Sequence, residues 1–244
     1  MIRADLKKSW VAQVTINIAN DDELIELAAE AGCKGLFVGF ESPDAVAPKE
    51  LRAKNNLCRC RNLNEAVRRI QKHGILVAGS FIIGLEGDRP GIGRLIADTA
   101  ERYGVDFLNV LFLTPLPGTR LWGEMEAEGR MTRSQFPSDW SYYTLTYPVT
   151  RYVGLTSNQA VFEMLSCSKR FYSIPRLLRR LWRNLWRGQS LQIGFAGGLS
   201  YKRNIRTDRV KLETFLSQHH GLTAASDASV FEKTDNHIPR ECAS

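Results

Sequence analysis

GILVAGSFIIGLEGDRPGIGRLIADTAERYGVDFLNVLFLTPLPGT, residues 74–119, is the stretch whose reading decides the fold. Residues 75–83 are an almost unbroken apolar run, rich in β-branched side chains and too short to span a bilayer, followed by a glycine-rich loop at 84–91. Such a run reads as a buried strand. Pro90 and Gly91 open a segment in which Ile92, Leu95, Ile96, Thr99, Ala100 and Tyr103 recur at helical spacing until Gly104 stops it. A second buried strand, residues 107–113, breaks at Thr114-Pro115-Leu116-Pro117-Gly118-Thr119. Two buried strands joined by an amphipathic helix make a βαβ unit. Both loops then lie at strand C-terminal ends, the edge where such folds bind ligands.

Upstream the pattern repeats. Residues 10–18 alternate and are β-branched, Asn20 or Asp21 can cap a helix over 22–31, and residues 35–42 form an apolar strand ending in Glu41 and Ser42. A helix over 64–73, stopped by Gly74, leads into the opening stretch. Four strands alternating with three helices, with no hairpin signal between them, predict parallel pairing in an α/β fold. A closed barrel needs about eight strands, so the predicted architecture is a partial TIM-like barrel. Downstream, residues 121–129, 158–171 and 175–186 read as helices, with Ser157 and Pro175 at two of their starts. Between the first two lies an aromatic stretch with Trp140, Tyr142, Tyr143 and Tyr147. The organisation expected is a barrel portion over 1–130, a helical C-terminal domain over 131–202, and a polar, mobile tail over 203–244 with one short helix at 209–218.

With 244 residues, 43% hydrophobic and 24% charged, the chain has ordinary globular composition. It shows neither a membrane-spanning run nor a signal or transit peptide, so the cytoplasm is the expected compartment. Five scattered cysteines, Cys33, Cys58, Cys60, Cys167 and Cys242, read as reduced thiols. The net charge of +7 is matched by the seven basic residues between Lys169 and Arg187, a segment without an acid. Leu177, Leu178, Leu181, Trp182, Leu185 and Trp186 share one helical face there, opposite Arg176, Arg179, Arg180, Arg183 and Arg187. That pattern fits an anionic membrane surface, which would make the protein peripheral to a membrane. It fits equally a helix packed on the barrel with solvated arginines. Nucleic acid fits poorly, because the tryptophans lie among leucines rather than arginines.

Three successive strands end in polar or loop-forming groups: Glu41 and Ser42, Ser80 and Gly84, and residues 114–119. Their convergence on one rim is the usual construction of a small-molecule site. Gly91-Ile92-Gly93 lacks the third glycine of a dinucleotide fingerprint and the lysine of a P-loop, so phosphate binding is not expected. His73, at a helix C-terminus, reads as structural. His219, His220, His237 and Cys242 lack metal-site spacing, so no metal site is assigned. No residue is assigned an acid, base or nucleophile role.

On these residues the chain resembles radical S-adenosylmethionine enzymes. Residues 10–18 are similar to the third barrel strand of that family, 35–42 to the fourth, 79–88 to the fifth and 113–121 to the sixth. The match is nearest to the cobalamin-binding-type subgroup, whose C-terminal domain carries segments like Trp140 to Tyr143 and Phe171-Tyr172-Ser173. The resemblance implies a partial (βα)6 barrel binding S-adenosylmethionine and a [4Fe-4S] cluster, with 5'-deoxyadenosyl radical or methyl-transfer chemistry and, in some members, cobalamin. It places Glu41 near the methionyl or ribose part of the cofactor, Ser80, Ile82 and Gly84 beneath it, and Leu113, Thr114 and Pro115 beside the adenine. The family's Cys-x3-Cys-x2-Cys cluster motif is absent, and Cys58 and Cys60 are too close together and wrongly placed to replace it. The expectation is therefore the C-terminal portion of such an enzyme, inactive alone, whose cluster ligands and first two strands lie upstream in a missing N-terminal half. The alternatives are a non-catalytic remnant or scaffold, and a membrane-surface protein acting through the helix at 176–187.

Overall fold

Burial separates the two sides of the sheet. Leu36, Val38, Phe40, Val77, Phe81, Ile83, Leu108 and Phe112 are buried, while Phe37, Gly39, Glu41, Ser80, Ile82, Asn109 and Leu111, which alternate with them, remain partly open. Side chains on a strand point alternately to opposite faces, so among the described residues one face of the sheet is fully covered and the other is left partly open. The computed structural model describes residues 1–6, 8–43, 63–186 and 191–217. Cys58, Cys60, Arg187 and the tail residues His219, His220, His237 and Cys242 lie outside them.

The strands are β1 (Trp10–Val14), β2 (Cys33–Glu41), β3 (Leu76–Ile83) and β4 (Phe107–Phe112), all parallel, in the order β1-β2-β3-β4. The helices are α1 (Asp22–Glu30), α2 (Leu63–Lys72), α3 (Ile92–Tyr103), α4 (Arg120–Ala127), α5 (Ser157–Phe171), α6 (Ile174–Trp186) and α7 (Leu191–Ser217). This is the α/β architecture the alternation predicts, a partial TIM-like barrel followed by helices. Asp21 caps α1, accepting from the Leu24 N–H at 2.9 Å. For α5 the cap is Thr156 rather than Ser157, in a capping box with Gln159.

Two expectations change. Residues 16–20 leave the first strand as a short 3-10 helix, because Ile16 and Ala19, three apart, both bury against the core. The short helix expected at 209–218 is the end of the 27-residue α7, with Leu212 and Phe215 buried. Glycines in its first half hide the helical signal. At Gly198 a side chain would collide with Leu177 of α6, so the glycine permits close helix packing.

The edge at β4 is sealed by two groups from the C-terminal segment. The Tyr172 hydroxyl accepts from the Leu108 N–H at 2.9 Å and donates to the Leu108 carbonyl at 3.0 Å, while the Phe112 N–H donates to the Leu145 carbonyl at 2.8 Å. Those groups would otherwise be an unpaired strand edge. The aromatic stretch is held in turn by α7, where Phe215 packs on the rings of Tyr142 and Tyr147. The outer edge of β1 has no partner strand among the described residues, and Val11 on it is 62% exposed. At the N-terminal end of the sheet, Asp106 accepts from the Gln71 side chain and the Val77 N–H, both at 2.9 Å, tying α2 to β3 and β4.

Tyr172→Phe leaves both Leu108 backbone groups buried and unpaired. It is expected to cost about 1–3 kcal/mol in urea unfolding without changing the far-ultraviolet spectrum.

Candidate functional site

The open face of the sheet is the candidate site. The strand register places Gly39, Ser80 and Asn109 side by side across β2, β3 and β4. One row toward the N-terminal ends lie Phe37, Ala78 and Phe107; one row toward the C-terminal ends lie Ile82 and Leu111. A polar row thus sits between two apolar rows. Among the described residues, neither the Ser80 hydroxyl nor the Asn109 carboxamide is shown with a hydrogen bond.

Glu41 joins that row through backbone geometry. A bulge between Gly39 and Glu41 shifts the β2–β3 register, and Glu41 takes a left-handed φ of 63°. Such a conformation disfavours a residue with a Cβ, and bulges at strand ends re-aim side chains. Here the Glu41 side chain folds back, so that its carboxylate fills the position a Gly39 side chain would take. The carboxylate therefore lies over Gly39, in the row with Ser80 on the next strand and Asn109 one strand beyond. Two buried oxygens at the same end of the sheet lack hydrogen-bond partners among the described residues: Ser42 Oγ after β2 and Asn17 Oδ1 after β1.

The residues singled out in the sequence do not all reach this face. Glu41, Ser80 and Ile82 do, and Leu113 extends β4 by donating its N–H to the Ile83 carbonyl at 2.8 Å. Gly84 is buried at φ 106°, with the Tyr152 ring packed where a side chain would stand. Thr114 is buried and spends its hydroxyl on the Phe112 carbonyl at 3.0 Å, and Pro115 is buried beside it. Asn109 was missed because, inside an apolar run, one polar residue gives no sign of its neighbours until strand pairing is known.

The glycine loop is occupied by the protein itself. Glu163 of α5, buried, accepts from the N–H groups of Gly91 at 2.6 Å and Gly93 at 2.8 Å, so its carboxylate takes the anion position at the N-terminus of α3. Gly93 also lets the two helices touch, since a Cβ there would strike the Glu163 backbone. Asp88 accepts from the Gly84 and Leu85 N–H groups at 2.8 and 3.0 Å. Burial pushes its carboxyl above the usual range despite those donors. The loop has no place left for a phosphate at these donors.

Cys33 and Cys167 are free and buried, and burial raises both thiols, which disfavours the thiolate that binds metal. No group of three or more metal-ligating side chains occurs among the described residues.

The basic helix is turned the other way from a solvated arginine face. Arg176 pairs with Asp98 at 2.6 Å, and Arg180, 4% exposed, pairs with Glu101 at 2.9 Å and lies 3.9 Å from the Phe171 ring centroid. Arg183 donates to the Gly104 carbonyl at 3.1 Å. Arg170 at the end of α5 also holds Asp98, at 2.8 Å. The carboxylates of α3 thus draw the arginines inward. Hydrogen bonding from Arg170 and Arg176 holds the Asp98 carboxyl below the usual range.

No family model matches the chain. It is 29% identical over 178 residues to the hopanoid C-2 methylase of Rhodopseudomonas palustris, covering 73% of this chain and 32% of that protein. It is 25% identical over 178 residues to the bacteriochlorophyllide d C-12(1)-methyltransferase of Chlorobaculum tepidum, covering 73% and 37%. To the anaerobic magnesium-protoporphyrin IX monomethyl ester cyclase of Cereibacter sphaeroides it is 24% identical over 178 residues, covering 72% and 28%. The chain spans about a third of the length of these curated relatives.

Glu163→Gln replaces one of two acceptor oxygens by an amide that faces an N–H, and is expected to destabilise by about 1–3 kcal/mol in chemical unfolding. Asp98→Asn is expected to lower stability at pH 7. Because the Asp98 pKa is depressed in the fold, its contribution is present above the unfolded value and lost as pH falls below about 4. The deficit of the variant should therefore close on acidification, and a deficit independent of pH would contradict the ion-pair assignment.

Proposed function

We propose that this chain is the C-terminal portion of a radical S-adenosylmethionine enzyme of the methyl-transferring kind, with the open sheet face as one wall of the cofactor pocket. The observation carrying this reading is the row of Glu41 carboxylate, Ser80 and Asn109 across three parallel strands, on a face that no helix covers among the described residues. Parallel sheets are normally buried on both faces, so an uncovered polar row points to something that binds there. The names of the relatives support methyl transfer as the reaction class.

The residues present fit S-adenosylmethionine. Glu41 offers an anionic acceptor to an ammonium or ribose hydroxyl, Ser80 and Asn109 each offer a donor and an acceptor, and Phe37, Ile82, Leu111 and Leu113 form an apolar bed. When bound, the cofactor supplies a transferable methyl or 5'-deoxyadenosyl group. The described residues do not fit a [4Fe-4S] cluster, because thiolates are the required ligands and both described thiols are buried with raised pKa values. In this reading the cluster ligands come from outside the described residues, and the chain is inactive alone. Cobalamin use rests on the resemblance.

Titration of the isotope-labelled chain with S-adenosylmethionine is expected to shift the backbone amide resonances of Glu41, Ser80 and Asn109. Gly39→Ala places a methyl group where the Glu41 carboxylate lies and is expected to weaken that binding about five-fold, the loss of roughly one hydrogen bond, with little change in stability. Shifts confined to other parts of the chain would sink the reading. Anaerobic treatment with iron and sulfide is expected to give no [4Fe-4S] absorbance, and a stable cluster would overturn the ligand argument.

A further inference from the structure

The inward turn of the arginines leaves a different surface outside. Ile174, Leu178 and Trp182 of α6 are 60%, 59% and 65% exposed, and their spacing of four puts them on one stripe. Three large apolar side chains in line on solvent are more than the scattered exposure of an ordinary surface. Along the sequence the charge flanking the stripe has one sign, and the carboxylates that face α6 from α3, Asp98 and Glu101, are paired with Arg170, Arg176 and Arg180. Lys169 and Arg179 are exposed close to it in sequence, and no Asp or Glu occurs between Glu163 and Asp208.

We propose that this stripe is the contact by which the protein sits on an anionic lipid surface, with Leu178 and Trp182 entering the headgroup boundary and Lys169 and Arg179 meeting lipid phosphates. A leucine and tryptophan stripe flanked by basic residues is the chemistry of helices lying in that boundary, and tryptophan suits it because its ring is apolar and its N–H is polar. Among the described residues no helix is long and apolar enough to cross a membrane, so the contact is peripheral. A second copy of the chain is a poorer occupant. Pairing the stripe with itself would bring Lys169 and Arg179 toward the same groups of the partner, and the nearby carboxylates Asp98 and Glu101 are already paired with Arg170, Arg176 and Arg180.

The orientation of α6 fixes how the contact responds to salt and mutation. Arg170, Arg176 and Arg180 are committed to carboxylates of α3, and Arg183 to a carbonyl. Few charges remain for lipid, so apolar insertion supplies most of the binding. Each exposed basic residue adds about five-fold on anionic membranes.

The test is flotation of the full chain with vesicles of phosphatidylcholine containing phosphatidylglycerol, and with phosphatidylcholine alone. The expected result is binding to both, stronger on the anionic vesicles, with tryptophan emission shifted to the blue and the shift reduced in Trp182→Phe. Leu178→Glu combined with Trp182→Glu is expected to lower binding at least ten-fold while leaving the far-ultraviolet spectrum unchanged, since the side chains are 59% and 65% exposed. Should that pair disturb folding, Leu178→Ser with Trp182→Ser carries the same expectation. Lys169→Gln with Arg179→Gln should remove the anionic preference and keep the binding to neutral vesicles. Absence of vesicle binding, binding unaffected by the stripe variants, or a concentration-dependent dimer broken by them would each overturn the proposal.

Discussion

A parallel sheet with helices on one face only is the constraint on which this structure depends. Covering Leu36, Val38, Phe40, Val77, Phe81 and Ile83 supplies the hydrophobic core, and α1, α2, α3 and α5 contribute to it. The other face carries Phe37, Ser80, Ile82, Asn109 and Leu111 with no helix across it among the described residues. Everything read as a ligand wall follows from that asymmetry. The two edges are unequal as well, with β4 sealed by Tyr172 and Leu145 and β1 left without a partner strand among the described residues.

Carboxylates tie the C-terminal helices to α3 and to the loop before it. Glu163 reaches from α5 to the glycine loop before α3, and Asp98 and Glu101 on α3 take the arginines of α5 and α6. Removing one partner of such a contact leaves a charged group poorly solvated, so each junction is intolerant of truncation. The same contacts decide which face of α6 meets solvent. Helical periodicity separates an arginine face from a leucine face but is symmetric as to which one packs inward. Acids on α3 and the rings of Phe171 and Tyr172 draw Arg176, Arg180 and Arg183 inward, Leu177 packs on α7, and Ile174, Leu178 and Trp182 are left on solvent.

The sequence by itself determined the order of elements, their parallel class, and most of their boundaries. These are set by local properties: apolar runs of strand length, helical spacing, capping residues and glycine stops. It also placed Glu41 and Ser80 at a strand-end rim. Only the tertiary structure decided that Asn109 stands in their row, that Glu41 folds over Gly39, that Gly84 is filled by Tyr152, and that Glu163 occupies the glycine loop. Each of these joins residues brought together by strand register or helix packing, and local sequence carries no record of distant neighbours. The length of α7 escaped for a related reason. Its glycines carry no helical signal, and Gly198 becomes favourable only because Leu177 packs against it.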